Sequence, residues 1–266
     1  MGIVDRWRPE TAAGGYARDD EAIRFYTRVR ALLRPDMTVL DLGAGRGSRF
    51  DRPNGFHARF CNLHGRVRRL VGADVDPVVL RHPALDERHV ILPGAPLPFG
   101  DASFDMVVCE YVVEHVEDPD LFAREIGRIL RPGGWLCALT PNRAGYVGLG
   151  NALVPERLKG ALLARLWPER QATDAFATFY RLNSRRAFRR AFPAPRWSHH
   201  GYTDEATPKY HADRTVPFAL VALWQRLAPP AMQTNLVALV RKSDEAPRLA
   251  PTETDLRAEA PARTDA

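Results

Sequence analysis

The rhythm of hydrophobic positions changes at Pro35. Before it, "DDEAIRFYTRVRALLRP" sets Ile23, Tyr26, Val29, Leu32 and Leu33 at intervals that share one helical face, and Pro35 predicts where that helix stops. After it, short apolar runs alternate with stretches of helical spacing. The runs are "MTVLDLG", "RLVGADV", "RHVILPG", "FDMVVCEY" and "GWLCALTP", and the helical stretches fall near 56–66, 77–81 and 119–130. Nearly continuous apolar runs are the mark of a parallel sheet covered on both faces. Their alternation with helices predicts a doubly wound α/β sheet.

The same pattern divides the chain. Residues 1–35 form a lead-in and helix, in which "AGGYARDDEA" puts a glycine hinge before Tyr16 and suggests a lid over a pocket. Residues 36–142 are the ligand-binding core. Residues 143–195 are more than a helix and a strand require; Leu158, Leu162, Leu163 and Leu166 have helical spacing, and the segment is expected to be a helical insert that caps the pocket. Its aromatic and polar patch nominates Asp174, Tyr180, Arg181 and Asn183 for the substrate side, whereas Phe176, Phe179 and Tyr180 could equally dock the insert. Residues 196–242 supply the final strands, ending in "TNLVALVRK". Residues 243–266 are rich in Pro, Ala and charge with few large apolar side chains, an expected disordered tail.

With 266 residues, 45% of them hydrophobic, the chain can bury one core, or one core and a cap. No run reaches the roughly 18–20 apolar residues of a membrane span, and "MGIVDRWRPE" lacks the apolar segment of a secretory signal, so a cytoplasmic protein is the default. Cys61, Cys109 and Cys137 stand among apolar neighbours at wide spacing, as buried thiols rather than a disulfide framework or a metal site. The net charge of +6 raises nucleic acid as a partner. Its arginines are spread along the chain, and knots such as "RVRRL" and "RRAFRR" fit solvated helix faces better than a phosphate groove.

The chemistry begins at "VLDLGAGRG", residues 39–47, a buried strand breaking into three glycines. Such a turn brings bare backbone N–H groups to the carboxyl edge of the sheet, where open α/β folds bind ligands. By itself it is a weak signal, since the place of a dinucleotide fingerprint's last small residue holds Ser48. The second strand ends in "VGADVD", so Asp74 lies beside the glycine turn, suited to accept hydrogen bonds from both hydroxyls of a ribose. A nicotinamide cofactor would use such an acid too. What separates the two is "LPFGDASFDMVVCEYVVEHVEDPDLFAREIGRILRPGG", residues 97–134, which no dehydrogenase pattern explains.

With "VLDLGAG", "LPF", "SFD", "EHV" and "LRPGG" in that order, residues 37–142 resemble the class I S-adenosylmethionine-dependent methyltransferases of small molecules. The resemblance implies a Rossmann-like seven-stranded sheet of order 3-2-1-4-5-7-6 with the seventh strand antiparallel, here with a helical insert between strands 5 and 6. It also implies S-adenosylmethionine as cofactor. Asp41, Gly43, Ala44, Gly45 and Gly47 would surround its methionine part, Asp74 its ribose, Val75 its adenine, and Glu110 and Tyr111 would face the methionine and the acceptor. Many relatives place an acid against the adenine amino group where this chain reads "LPGAPLPF"; Pro93, Gly94 and Ala95 offer none, leaving backbone and apolar contacts.

Methyl transfer from a sulfonium needs alignment above all, and a base only when the acceptor is a hydroxyl. His115, in the "EHV" motif, is the candidate base; the alternative is a histidine that packs at the start of a helix. His199, His200 and Tyr202 are weaker candidates near the expected sixth strand. The stretch "CEYVVEH" has neither the Asn/Asp-Pro-Pro-aromatic sequence of exocyclic-amine methyltransferases nor a Pro-Cys nucleophile, which disfavours nucleic acid. An oxygen of a small molecule, such as a sugar or lipid-linked glycan, is the expected acceptor, ahead of carbon or nitrogen. A non-catalytic binder of adenosylmethionine or adenosylhomocysteine, and an RNA or DNA methyltransferase, are the other readings.

Overall fold

Along the central strands, neighbouring side chains go to opposite cores. Leu40, Val107, Leu136, Ala138 and Val240 join one core, while Val39, Met106, Val108, Cys137 and Leu239 join the other. This is the period of two that a strand imposes, and it explains why the strands read as unbroken apolar runs. The computed structural model describes residues 2–51, 55–154, 177–209, 211 and 213–244.

The strands are β1 (Thr38–Leu42), β2 (Arg69–Asp74), β3 (Glu87–Val90), β4 (Phe104–Glu110), β5 (Leu130–Pro141), β6 (Trp197–His199), β7 (Tyr202–Asp204) and β8 (Asn235–Lys242). They assemble in the order β3-β2-β1-β4-β5-β8-β6, with β7 also paired to β8. The pairs from β3 to β5 are parallel and β8 runs antiparallel to β5. This is the Rossmann-like order expected from the sequence, with one difference: the sixth strand is broken in two. β6 meets residues 240–242 of β8 and β7 meets residues 235–237, in one continuous antiparallel register interrupted at His200 and Gly201. At the break the chain presses onto β8, where a Cβ on Gly201 would lie 2.6 Å from the Val237 carbonyl oxygen.

Helices cover both faces. On one side lie α2 (Glu21–Leu32) and α3 (Phe56–Cys61), which contribute Phe25, Tyr26, Val29 and Cys61. On the other lie α4 (Pro119–Ile129) and a helix at Arg185–Ala191, contributing Ile126, Ile129 and Phe188. A short α1 (Ile3–Trp7) precedes α2, and α5 (Tyr146–Leu153) follows β5, so the Arg185–Ala191 helix is α6 and Thr215–Leu227 is α7. The helix starts are written in the sequence. Asp20 accepts from Ile23 N–H, Asp118 from the N–H groups of Asp120 and Leu121 ahead of Pro119, and Ser184 from Ala187 N–H.

α3 is shorter than the 56–66 stretch predicts. The Asn62 side chain takes the His64 N–H at 2.9 Å and Gly65 adopts a φ of 73°, so a turn competes successfully with another helical turn. All three cysteines are buried, and burial pushes the Cys61 and Cys137 thiols up to about 12. Among the described residues no helix is long and apolar enough to cross a membrane. Residues 155–176, the middle of the expected insert with Leu158, Leu162, Leu163, Leu166, Asp174 and Phe176, and residues 245–266 of the tail, lie outside the described residues.

Gly201→Ala should destabilise the protein by about 1–3 kcal/mol, because either the strand break or β8 must yield. Urea denaturation checks this.

Candidate active site

The carboxyl edge of the sheet opens into a cavity of about 930 Å³, near the top of the roughly 300–1,000 Å³ range of ligand pockets. Its floor is the glycine turn after β1. Gly43, Gly45 and Gly47 have φ of 80°, 58° and 71°, a region that side-chain-bearing residues rarely adopt. Space forbids a Cβ as well: at Gly43 it would lie 2.1 Å from Val112, and at Gly47 2.6 Å from His82 Nε2. His82 is buried, and burial, reinforced by Arg88 and Arg49, lowers its pKa to about 4, so it backs the turn as a neutral ring.

The amides of this turn are directed differently from the expected bare cradle. Gly43 and Ala44 both donate to the Ala73 carbonyl, at 2.7 and 3.3 Å, and Gly45 donates to Asp74 Oδ2 at 2.8 Å. Buried N–H groups are rarely left unpaired, and the tip of β2 lies alongside to pair these. The first part of the turn therefore offers shape, with the N–H groups of Gly43, Ala44 and Gly45 already committed. Asp74 Oδ1 accepts from Asp76 N–H at 2.9 Å, so the carboxylate is held at both oxygens. Each oxygen retains a second acceptor site, and Asp74 faces the cavity.

At one end of the cavity, Asp41, Glu110 and Arg49 meet. Arg49 forms an ion pair with Glu110, and its guanidinium lies over the Tyr26 ring at 4.9 Å. Burial pushes the Asp41 carboxyl up to about 7, with Glu110 and Asp74 adding to the rise and Arg49 opposing it. At the other end, Ile91, Leu92, Pro93, Gly94, Ala95 and Leu97 form an apolar wall without a carboxylate of its own. α4 holds that wall in place: Glu125 accepts the Leu97 N–H at 2.7 Å, and Arg128 donates to the carbonyls of Leu97 and Phe99. Glu125 also lines the cavity, as the nearest carboxylate to this wall along the α4 side.

Asp41, Gly43, Ala44, Gly45, Gly47, Asp74, Val75, Gly94, Ala95, Glu110 and Tyr111 all line this single cavity, as does His115. Tyr111 has a φ of 55° at the end of β4. Its hydroxyl lies 3.3 Å from both Glu21 and Asn235, and burial raises its pKa well above the ordinary tyrosine range. The side chains proposed for the substrate are placed less uniformly. Tyr16 stacks on Phe56 at 4.8 Å, away from the lining. Asn183 is buried, donating to the Thr140 hydroxyl and the Pro141 carbonyl. Tyr180 donates its N–H to the Glu114 carbonyl, and Arg181 donates to the Glu117 carbonyl while covering Phe179. Among the described residues of 143–195, Ala177 and Phe179 reach the lining. His199 and His200 bond to the Phe192 carbonyl and the Ser198 hydroxyl.

Sequence reasoning missed Arg49, Tyr26 and the Glu21–Lys209 ion pair at 2.5 Å, which braces the Tyr111 side of the site. Arg49 reads as one more surface arginine in "SRFDRPN"; only its position one turn beyond the last glycine marks it.

Residues 40–138 match the methyltransferase domain family. A probable S-adenosylmethionine-dependent methyltransferase of Mycolicibacterium smegmatis is 44% identical over 85 residues, covering 30% of this chain and 32% of that protein. The ubiquinone/menaquinone biosynthesis C-methyltransferase UbiE of Shewanella sp. strain ANA-3 is 31% identical over 115 residues, covering 40% and 43%. The chain thus aligns with less than half the length of these curated relatives. A chain in the complex of the Haloferax volcanii Trm112 methyltransferase activator with a methyltransferase shares the fold, with a TM-score of 0.52, 19% identity and coverage of 92% of this chain and 99% of that one. Over residues 40–138 this chain is therefore similar to S-adenosylmethionine-dependent methyltransferases.

Asp41 gives the site a pH dependence. Its native carboxyl keeps a proton up to about pH 7 whereas the unfolded chain releases it near 4, so its contribution to the stability of the ligand-free protein falls as pH rises between those values. Ionisation above 7 adds negative charge beside a cationic ligand. The affinity for adenosylmethionine should therefore rise relative to that for adenosylhomocysteine between pH 6 and 8, and Asp41→Asn should abolish the difference; calorimetry at three pH values checks this.

Proposed function

We propose that this protein transfers the methyl group of S-adenosylmethionine to an oxygen of a small hydroxylated molecule, such as a sugar or a lipid-linked glycan. The observation that carries this reading is the continuity of the cavity. From the glycine turn and Asp74 it runs on past Tyr111 to His115, Phe122 and Phe179, leaving room beyond a bound cofactor for an acceptor.

The residues at that far end suit an acceptor with both apolar and hydroxylated parts. Phe122 and Phe179 supply aromatic surface, while Glu117 and Asp118 supply hydrogen-bond acceptors. His115 Nδ1 lies 2.7 Å from the Ala177 carbonyl oxygen. A carbonyl can only accept, so Nδ1 carries the hydrogen and Nε2 is the basic nitrogen. In the reaction the acceptor oxygen bonds to the methyl carbon, the carbon–sulfur bond breaks, and the hydroxyl proton passes to Nε2. Tyr111, held protonated by its burial, orients groups beside the sulfonium without acting as a base. Asp41 and Glu110 place negative charge near the cation, and the apolar wall 91–97 receives the adenine.

Transfer of a labelled methyl group from adenosylmethionine to fractionated small-molecule and lipid extracts tests the reading. His115→Gln should lower the turnover of a hydroxyl acceptor by about 10²–10⁴-fold while leaving cofactor affinity within about twofold. Unchanged turnover in this variant would remove the general base and with it the oxygen acceptor.

A further inference from the structure

α7 exposes an apolar stripe that nothing in the cavity requires. Val216, Leu220, Leu223 and Leu227 are 69, 63, 52 and 72% exposed, at intervals of four, three and four. At 100° per residue they fall within a sector about 60° wide, over a length of about 16 Å. The opposite side of the helix is anchored: Phe218 is fully buried, with its ring 5.4 Å from that of Trp7 and 5.3 Å from that of His211. Trp7, 42% exposed, packs on Phe218 and so belongs to this anchored side. Isolated exposed leucines need no explanation, but a continuous stripe along a folded helix marks a surface for something apolar.

The charges around the stripe say what kind of surface it meets. α7 contains no acidic residue. Exposed Arg214 and Arg226 stand at its two ends, and exposed Arg6 stands beside Trp7. Two acids stand nearby, Asp213 accepting the Ile3 N–H at 2.5 Å and Asp5 accepting the Gly2 N–H at 3.0 Å, so the three arginines leave the surroundings net positive. A second copy meeting this face across a two-fold axis would bring arginine ends against arginine ends in either orientation, at an electrostatic cost. An anionic lipid surface has the complementary charge, and it accepts the apolar stripe between its headgroups. A helix of 13 residues is too short to cross a bilayer but suited to lie in its plane.

We propose that α7 is a docking surface for anionic lipid bilayers. The contact is peripheral and independent of methyl transfer. Cosedimentation of the full chain with vesicles tests it, comparing phosphatidylcholine alone with phosphatidylcholine containing phosphatidylglycerol, at low and high salt. The protein should partition onto the anionic vesicles, release in high salt, and lose roughly tenfold or more in partition in the Leu220→Glu/Leu223→Glu variant. Arg214→Gln/Arg226→Gln should weaken the anionic preference. Because these side chains project into solvent, the melting temperature and adenosylmethionine affinity should stay unchanged. Three results would overturn the proposal: no partition at low salt, equal partition of the leucine variant, or a dimer in light scattering that this variant dissociates. A melting temperature lowered by several degrees in the leucine variant would also overturn it, by showing that the chain itself covers the face.

Discussion

One hydrogen-bonded bridge organises the site: Asp74 at the tip of β2 holds the Gly45 N–H of the turn that follows β1. The two elements are adjacent parallel strands, with Leu42 opposite Ala73, so the carboxylate stands at the turn as a direct result of sheet register. The glycines permit the turn, and the Ala73 carbonyl and Asp74 carboxylate fix it by taking three successive amides. The cavity's shape is therefore set before any ligand arrives, and ordering the turn on binding costs little. The same carboxylate retains acceptor capacity toward the cavity, so a single residue both shapes the floor and marks where a ribose would lie.

The second constraint is electrostatic. Three carboxyl groups, Asp41, Asp74 and Glu110, line one cavity with Arg49 among them. Burial is the main cause of the raised pKa of Asp41, and the like charges of Glu110 and Asp74 add to it. Under the proposed function a cationic sulfonium would relieve that repulsion, and the site would prefer the methyl donor over its neutral-sulfur product. Arg49 limits the excess by pairing with Glu110 and covering Tyr26.

The core of the fold was readable because its signals are local. Apolar runs, the stop at Pro35 and the glycines of the turn each act within a few positions. The helical stretch at 56–66 was overestimated because an Asn62 side-chain turn competes with helix at that point. The break at His200–Gly201 was hidden because it depends on close approach to β8, more than 30 residues later. Arg49 and the Glu21–Lys209 pair escaped for a related reason: a buried or bridging charge has the same letter as a solvated one. The substrate-side choices fared least evenly. Asn183 looked like a ligand-binding amide in sequence, yet it serves the backbone of β5, and nothing in a single sequence separates those roles.

Asp74 braces the turn, and the proposed function makes it the ribose ligand as well. Calorimetric titration of the purified protein and its Asp74→Asn variant with adenosylhomocysteine measures this directly. The substitution keeps the size of the side chain but removes its charge and one acceptor oxygen, so affinity should fall by about tenfold or more, the equivalent of roughly 1.4 kcal/mol or above. A variant that binds adenosylhomocysteine as tightly as the native protein would contradict the central role given to this carboxylate.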